Sequence, residues 1–242
     1  MAEKVTPYKD SELGKKEQVA QMFDTISSGY DGLNRVISLG ADVKWRKRLV
    51  ETLMLEKPKN VLDIATGTGD LAIAIAKRGV PHVVGLDISS GMLEVGKKKI
   101  AQHQLDDQVD MVLGDGENLP FDTDSFDAIT VAFGVRNFEN LEKGLQEILR
   151  VLRPNGLFLV LETSVPTKFP FKQGYHLYCD YLLPLIGKLF SKDRSAYGYL
   201  SQSAAVFPHG AAFNNILSKI GFKSIENRPQ TFGAASIYLA KK

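Results

Sequence analysis

The stretch VLDIATGTGDLAIAIA, residues 61–76, decides the fold of this chain. An apolar run begins after Asn60, stops at Gly67 and Gly69, and resumes with Ala, Leu and Ile residues at helical spacing. This order predicts a buried strand, a glycine turn and a helix packed on a sheet. Because glycine has no Cβ, such a turn lets a ligand approach the backbone. The first N–H groups of the new helix then point at that ligand without partners.

The glycine turn alone leaves two cofactors open. It also matches the dinucleotide fingerprint, in which an acid about 20 residues further on binds the ribose hydroxyls. Asp87, the last residue of the second predicted strand, takes that position. Asp63, inside the first strand, is costly to bury without partners. A turn that binds a cationic, amino-acid-bearing ligand would supply them, so the two acids favour S-adenosylmethionine over NAD.

The composition predicts one globular domain. The chain has 242 residues, 44% hydrophobic and 24% charged, which suits one large α/β domain. Its net charge of +2 gives no strong attraction to nucleic acid. One cysteine, Cys179, excludes an intrachain disulfide and suits a reducing compartment. Residues 1–16 are too polar for a signal peptide, and no apolar run approaches the roughly 20 residues of a membrane span. The four histidines lack ligand-like spacing, so we expect no metal site.

Strands and helices alternate through the middle of the chain, which predicts an α/β fold with a doubly wound parallel sheet. The further predicted strands are 82–87, 109–113, 126–132 and 157–162, with helices at about 90–102 and 141–152. Two helices, at about 17–37 and 44–55, precede the first strand, and Gly29 and Gly32 interrupt the earlier one. A helix at 211–220 and strands at 222–227 and 234–240 close the chain.

Two segments have alternative interpretations. The polar groups of the first helical segment either contact solvent or face a ligand that the segment covers. The insertion from 164 to about 209 is either a helical cap or an apolar tunnel or membrane-facing lid for a hydrophobic substrate. Its apolar stripe consists of Leu177, Tyr181, Leu185 and Leu189, with Pro184 and Gly187 as predicted kinks. A lysine run, Lys97 to Lys99, is interpreted as a solvated helix face.

Asp115 follows the third predicted strand and therefore lies at the sheet edge where open α/β folds place ligands. Its carboxylate can accept a hydrogen bond from an exocyclic amine such as that of adenine. The N–H of Gly116 can serve a ring nitrogen. The position of this acid, in register with Gly67 and Asp87, argues against an ordinary acidic turn.

Three further stretches carry a family resemblance: YDGLNRVIS at 30–38, which leads to Trp45, FGVRN at 133–137, and RVLRPNG at 150–156, which runs on to LETS at 161–164. With the glycine turn, they make the sequence similar to the class I S-adenosylmethionine-dependent methyltransferases. More narrowly, it resembles the C-methyltransferases of menaquinone and ubiquinone biosynthesis, over almost the whole chain. The departures from the usual family residues are Leu33, Asp42, Ala132, Arg153 and Asn155.

The resemblance implies a fold and a domain plan. The expected fold is a Rossmann-like, mostly parallel, seven-stranded sheet with N-terminal helices and a helical lid insertion. A single methyltransferase domain would occupy residues 1–242. Its expected parts are an N-terminal helical cover at about 1–56, a cofactor-binding core at about 57–163, a helical lid at about 164–209, and a closing helix and strand pair at about 210–242.

The resemblance also implies an activity, methylation of a ring carbon of a polyprenylated quinol, with demethylmenaquinol as the expected substrate. The alternatives are a polyprenyl-methoxy-benzoquinol of the ubiquinone pathway and another hydrophobic small molecule, such as a sterol or phenol. An NAD-dependent oxidoreductase and a non-catalytic cofactor-binding subunit are rivals of other classes. The expected location is the cytoplasm, with contact to the membrane surface, and a homodimer is the expected assembly. No nucleic-acid partner is expected.

Roles for individual residues follow from the resemblance. Arginine stays protonated, so Arg136 is assigned to orient a water or stabilise the developing anion, and Asn137 to position the same oxygen. Tyr30, Asp31 and His176 are candidates for the substrate side. The residues expected to bind the cofactor are Asp63, Ala65, Gly67, Thr68, Gly69, Asp87, Ile88, Met92, Asp115, Gly116 and Ala132.

Overall fold

The computed structural model describes residues 5–178, 181 and 194–242, without the side chains of His176, Arg194 and Tyr197. Half of the predicted stripe of the insertion, Leu185 and Leu189, therefore lies outside the described residues, as do Cys179 and the two predicted kinks. Of that stripe, Leu177 and Tyr181 are described, and both side chains are exposed.

A seven-stranded sheet forms the centre of the protein. Its strands are β1 (Asn60–Ile64), β2 (His82–Asp87), β3 (Val109–Leu113), β4 (Phe126–Ala132), β5 (Leu152–Thr163), β6 (Lys223–Gln230) and β7 (Ala235–Lys241). Their order in the sheet is β3-β2-β1-β4-β5-β7-β6. Strands β1 to β5 pair in parallel, and β7 is antiparallel to both β5 and β6. The predicted mostly parallel, doubly wound sheet is confirmed.

The strand order reverses between β1 and β4. From β1 the chain moves outward through β2 and β3, and it then returns to add β4 on the other side of β1. Open α/β sheets bind ligands at this type of switch point, beyond the carboxyl ends of the strands. We therefore expect a ligand to bind at the loops after β1, β2 and β4.

Nine helices are found among the described residues. They are α1 (Lys15–Ile26), α2 (Tyr30–Ile37), α3 (Ala41–Met54), α4 (Asp70–Ala76), α5 (Ser90–Gln102), α6 (Leu141–Val151), α7 (Phe171–Leu177), α8 (Arg194–Val206) and α9 (Ala211–Ile220). Ser89 caps α5, because its hydroxyl accepts from the N–H of Met92 at 3.1 Å. None of these described helices has both the length and the apolar composition of a membrane span.

Several element boundaries differ from the predictions: α3 begins at Ala41 rather than at about 44, and β6 ends at Gln230 rather than at 227. Gly32 lies inside α2, and only a short 3₁₀ turn, Ser27–Gly29, separates α2 from α1. Strand β5 begins at Leu152, five residues before the predicted start, because Leu152 pairs with Phe126 across an irregularity in the β4–β5 ladder. The predicted bounds of β2, β3 and β4 agree with the structure.

Apolar clusters cover both faces of the sheet. One joins α3 and α4 to it, with Leu49, Leu53 and Ile75 buried, and the other joins α6 and α9 to it. A third, smaller cluster packs Met22 and Phe23 of α1 against Met92 and Tyr199. The N-terminal helix is therefore held over the carboxyl edge of the sheet by contacts with α5 and α8.

Candidate active site

A cavity lies at the carboxyl ends of β1, β2 and β4, under α1 and α2. Ten of the residues predicted to bind the cofactor line it: Asp63, Ala65, Gly67, Thr68, Asp87, Ile88, Met92, Asp115, Gly116 and Ala132. Gly69 does not belong to the wall. It precedes the first residue of α4 with φ of 79°, a conformation that glycine adopts without strain, so it turns the chain into the helix.

Asp87 holds the glycine turn in place. Its Oδ2 accepts from the N–H of Gly67 at 2.7 Å, and its Oδ1 accepts from the N–H of Ser89 at 2.9 Å. Burial raises the pKa of this carboxyl to about 6, although the backbone hydrogen bonds act in the opposite direction. Each carboxylate oxygen has two acceptor sites, so acceptor capacity remains for hydroxyl donors, although the N–H of Ile88 is a third backbone donor close to this carboxylate. The arrangement fits the two hydroxyls of a ribose.

Asp63 is buried in β1, and both of its oxygens accept hydrogen bonds from threonines. Thr66 donates to Oδ2 at 2.7 Å, and Thr130 donates to Oδ1 at 2.6 Å. The partners that the sequence argument sought in a cationic ligand are thus supplied by the chain itself. Burial nevertheless raises the pKa of Asp63 to about 6, so a cation bound near this acid would stabilise its ionised form.

Asp115 is already paired with the N-terminal helix. Lys16 of α1 donates to its Oδ2 at 2.5 Å, and the N–H of Glu117 donates to its Oδ1 at 2.8 Å. Since Lys16 also lines the cavity, α1 supplies a positive charge at the end of the cavity that Asp115 and Gly116 form.

Two acidic side chains of the N-terminal segment bond to the loops at the sheet edge, although Asp24 is also exposed to solvent. Asp24 accepts from the hydroxyl of Ser89 at 2.6 Å and from the N–H of Gly91 at 2.8 Å. Asp31 accepts from the hydroxyl of Thr68 at 2.6 Å. The segment is therefore attached to the loops that form the cavity floor.

The interpretation of Lys99 as part of a solvated face is wrong. Lys97 and Lys98 are exposed, but the Nζ of Lys99 donates to Asp31 at 2.9 Å, to Thr68 at 3.1 Å and to Asp70. Sequence spacing could not show this contact, because the three partners come from two segments that only the tertiary fold brings to α5. Lys99 links α2 to the start of α4.

The turn after β4 forms the opposite wall, where two adjacent strand ends have unusual backbone angles. Ala65 and Phe133 have φ of 53° and 58°, the left-handed region that costs energy for residues with a Cβ. Gly134 makes their close approach possible, because a Cβ there would lie 2.5 Å from the Cβ of Ala65. Arg46 lies 5.6 Å above the ring of Phe133 and places a cation against this wall.

The two residues assigned to catalysis lie in different places. Asn137 lines the cavity. Arg136 does not: its side chain is buried, and Nη1 donates to Oε1 of Glu162 at 2.5 Å. Burial lowers the pKa of Arg136, but the neighbouring Glu162, Tyr30 and Tyr199 together raise it by more. Its pKa is therefore above the ordinary value. Arg136 is therefore a buried cation held behind the wall.

The substrate-side candidates Tyr30 and Asp31 both line the cavity, and burial raises the pKa of the Tyr30 hydroxyl. The side chain of His176 lies outside the described part of the chain.

Several site residues were missed from the sequence. Tyr199, in α8, donates to Oδ1 of Asn137 at 3.1 Å, and Glu162 is the partner of Arg136. Glu162 did carry a signal, since it is the one acid near the end of an otherwise apolar strand, as Asp63 is in β1. Tyr199 carried none, because it is one aromatic residue among many in the insertion.

Comparison with known proteins gives consistent matches. The model of the ubiE/COQ5 methyltransferase family matches residues 11–242. A demethylmenaquinone methyltransferase of Bacteroides fragilis is 44% identical, covering 99% of this chain and 98% of the relative. A ubiquinone/menaquinone biosynthesis C-methyltransferase UbiE of Geobacter sulfurreducens is 41% identical, covering 99% and 93%.

Solved structures share the fold at low sequence identity. A putative S-adenosyl-L-methionine-dependent methyltransferase of Methanococcus maripaludis aligns with a TM-score of 0.60 at 23% identity, covering 96% of each chain. A SAM-dependent methyltransferase of Thermotoga maritima aligns with a TM-score of 0.64 at 18% identity, covering 92% of this chain and 99% of the other. These matches confirm the predicted class I methyltransferase fold.

Proposed function

This chain belongs to the ubiE/COQ5 methyltransferase family, and we propose that it methylates a ring carbon of a polyprenylated quinol, converting demethylmenaquinol to menaquinol. The enzyme is a methyltransferase, and its cofactor is S-adenosylmethionine. Some relatives are named as demethylmenaquinone methyltransferases, and others as C-methyltransferases of both ubiquinone and menaquinone biosynthesis. The preference for the naphthoquinol rests on the Bacteroides fragilis relative, a demethylmenaquinone methyltransferase that is 44% identical, since two relatives named for both quinones are 41% and 43% identical.

The observation that carries the proposal is that Asp87 and Asn137 line one cavity at the switch point of the sheet. When bound, S-adenosylmethionine supplies an electrophilic methyl group on a positively charged sulfur. We assign the free acceptor sites of Asp87 to the ribose hydroxyls, and Asp115 with Gly116 to the adenine edge. Asp63 adds a negative charge beneath the glycine turn, and this charge favours a cationic ligand.

The other side of the cavity is assigned to the quinol. Asn137 is fixed by Tyr199, so its amide can position an oxygen of the ring. Arg136 supplies a permanent positive charge behind that position and stabilises the negative charge that develops on the oxygen. The reaction also requires the ring carbon to lie in line with the methyl group. The cavity wall favours this alignment because it restricts the orientations of the ring.

The test compares two substrates. Purified enzyme is incubated with methyl-labelled S-adenosylmethionine and either demethylmenaquinol or the corresponding methoxy-benzoquinol, both with short prenyl chains, and the products are weighed by mass spectrometry. We expect a gain of one labelled methyl on the naphthoquinol, at a kcat/KM at least tenfold above that for the benzoquinol. Equal rates would contradict the preference, and no transfer to either would contradict the function.

We also propose that the enzyme works in the cytoplasm at the membrane surface, through an exposed aromatic patch. Three segments form it: Tyr178 donates to the carbonyl of Ile37, and the rings of Phe171 and Phe232 stack 3.9 Å apart. The exposed apolar side chains of the patch are Leu39, Phe169, Phe171, Leu177, Tyr181 and Phe232. The exposed Lys168 and Lys172 flank it, which suits anionic lipid headgroups.

Vesicle sedimentation tests the patch. We expect the enzyme to sediment with vesicles that contain phosphatidylglycerol and much less with pure phosphatidylcholine. Phe169→Ser should reduce this binding, whereas Leu55→Ser, at an exposed residue after α3, should not. Equal binding by both variants would contradict the assignment.

A further inference from the structure

The ion pair of Arg136 and Glu162 has hydrogen-bonding capacity that the described part of the chain leaves unused. Glu162 Oε1 accepts from Arg136 Nη1 at 2.5 Å, and from the N–H and hydroxyl of Thr163 at 2.8 and 3.1 Å. Glu162 Oε2 accepts from no described residue, and Arg136 Nε donates to none, although both atoms are buried. Buried polar atoms are nearly always hydrogen-bonded, so a partner that is not among the described residues is expected at both.

The two unused atoms require complementary partners. Oε2 needs a donor, and Nε–H needs an acceptor. A hydroxyl group is both at once. One hydroxyl, or a hydroxyl with one bridging water, can therefore satisfy the whole pair, which an aliphatic or purely accepting ligand cannot.

The pair lies next to the side of the cavity assigned to the quinol. Glu162 is the penultimate residue of β5, and Arg136 is on the turn after the neighbouring β4, so both lie at the carboxyl edge of the sheet. Tyr30 and Tyr199 are close enough to raise the pKa of Arg136. Tyr199 in turn is bonded to Asn137 on the cavity wall. One layer of side chains separates the pair from the cavity.

The other groups near the cavity are less suited to accepting a proton. Both oxygens of Asp63 are engaged by threonine hydroxyls, and Asp31 is paired with Lys99. Burial raises the pKa of the Tyr30 and Tyr199 hydroxyls, which therefore stay protonated and cannot serve as bases at neutral pH. Glu162 combines a carboxylate, a free oxygen and a fixed cation beside it.

We propose that Glu162 is the base for the reaction: one water, held between Oε2 and Arg136 Nε, bridges the pair to the quinol hydroxyl in the cavity and relays its proton to Oε2. This rests on the proposed function. The proton moves to Oε2, and Arg136 stabilises the aryloxide. The ortho ring carbon then forms a bond to the methyl group, and the C–S electron pair stays on sulfur, which becomes a neutral thioether. The ring carbon loses its hydrogen as a proton to water, and the aryloxide recovers its proton from Glu162, so one proton is released per methyl transferred.

Glu162→Gln is the primary test, because it keeps the size and a carbonyl acceptor for Arg136 but removes the base. We expect kcat to fall at least 100-fold, with the calorimetric Kd for S-adenosylmethionine unchanged within about twofold. Glu226→Gln is the matched control, since it makes the same change in an exposed pair with Arg228, and it should leave kcat unchanged.

Two further readouts separate a base from a structural role. The residual rate of Glu162→Gln should increase tenfold per pH unit between pH 7 and 9, because hydroxide must replace the base. A quinol made more acidic by a ring halogen should recover most of the lost rate. A short-prenyl naphthol bound to the wild-type complex with S-adenosylhomocysteine should show the absorbance of the ionised form, and the variant complex should not.

The proposal is overturned if Glu162→Gln retains wild-type kcat, or if it loses rate with an unchanged pH profile, no recovery with the acidic quinol and the same naphthol spectrum as wild type. Glu162→Asp covers the case in which the glutamine variant does not fold: it keeps the carboxylate and should retain the wild-type pH profile, and a tenfold-per-unit profile would count against the proposal. An inactive wild-type enzyme would instead refute the proposed function, so the two failures are distinguishable.

Discussion

Thr130 of β4 lies opposite Asp63 of β1 in the parallel ladder, and its hydroxyl donates a 2.6 Å hydrogen bond to the buried carboxylate. The pKa of Asp63 is about 6, above its ordinary value of 3.8. A group whose pKa is higher in the folded state stabilises the fold most below the unfolded value, and this stabilisation is lost as the pH rises through the folded value. The cofactor-free protein therefore carries the cost of an ionised Asp63 above about pH 6.

Asp63→Asn should remove that cost. Because the amide can bond both threonines without a charge, we expect the free energy of unfolding of the cofactor-free protein to increase at pH 8, by about 1–3 kcal/mol, with little change at pH 4. Thermal melts at the two pH values measure this. S-adenosylmethionine should bind more weakly to the variant. A variant less stable than wild type at pH 8 would contradict the charge argument.

Asp87→Ala should weaken the binding of S-adenosylmethionine on the order of 100-fold, because hydrogen bonds to a charged acceptor contribute about 1.5–3 kcal/mol each. In the wild type, affinity should also fall below about pH 6, where Asp87 takes up a proton. Titration calorimetry between pH 5 and 8 measures both effects. The exposed Asp106→Ala is the control, and an unchanged Kd in Asp87→Ala would refute the ribose contact.

Lys99→Met should loosen the N-terminal segment. The side chains of Lys99, Asp31 and Asp70 are partly exposed, and such pairs contribute about 0.2–1 kcal/mol, so we expect the Kd of S-adenosylmethionine to rise about two- to fivefold. Limited proteolysis should cleave α1 and α2 faster. Lys98→Met changes the neighbouring exposed lysine of the same helix and should match the wild type; the same effect in both variants would rule out the specific link.

Arg136→Ala should abolish turnover and destabilise the fold by about 3–5 kcal/mol, because it leaves the buried carboxylate of Glu162 without its cation. Cofactor binding should persist at temperatures where the variant is folded. The double variant Arg136→Met with Glu162→Leu replaces the pair by apolar groups and should recover most of the stability, but no activity. Denaturant melts and turnover assays separate these effects, and an active single variant would remove the role of Arg136.

Two glycine substitutions should act in opposite directions. In Gly134→Ala the new methyl group would lie 2.5 Å from the Cβ of Ala65 and 2.9 Å from Val131, so the turn that carries Arg136 has to move and the fold loses stability. Gly32→Ala, inside α2, meets no atom within 4 Å and should stabilise the helix by about 0.5–1 kcal/mol. If both variants shifted the melting temperature in the same direction from that of the wild type, the packing at Gly134 would be contradicted.

The bounds of β2, β3 and β4 were predictable because each is a short apolar run with polar residues or a turn on either side. β2 and β4 are inner strands of the parallel sheet and are almost wholly buried, whereas β3 is an edge strand with Asp110 and Leu113 exposed. The start of β5 was not predictable, since Leu152 joins the ladder through pairing with Phe126, which no local pattern reveals.

The cofactor edge was more accessible from sequence than the substrate edge. Asp63 lies near the end of β1, Asp87 ends β2 and Asp115 follows β3, and parallel strands bring their ends together by topology alone. The adjacent strands β4 and β5 bring Arg136 and Glu162 together in the same way, but Tyr199 meets Asn137 only through the tertiary packing of α8, which belongs to the insertion. The path of that insertion depends on packing against Met22 and Phe23 of α1, which spacing along the chain does not encode.

The attachment of α1 and α2 has a kinetic consequence. Lys16, Asp24 and Asp31 each bond a residue of the loops that surround the cofactor cavity, so passage of the methyl donor beneath these helices would require the bonds to open. We expect ordered addition, donor first and product thioether last, which product-inhibition kinetics would test. Under saturating substrates the maximal velocity would then follow solvent viscosity, because lifting the amino-terminal helices displaces water.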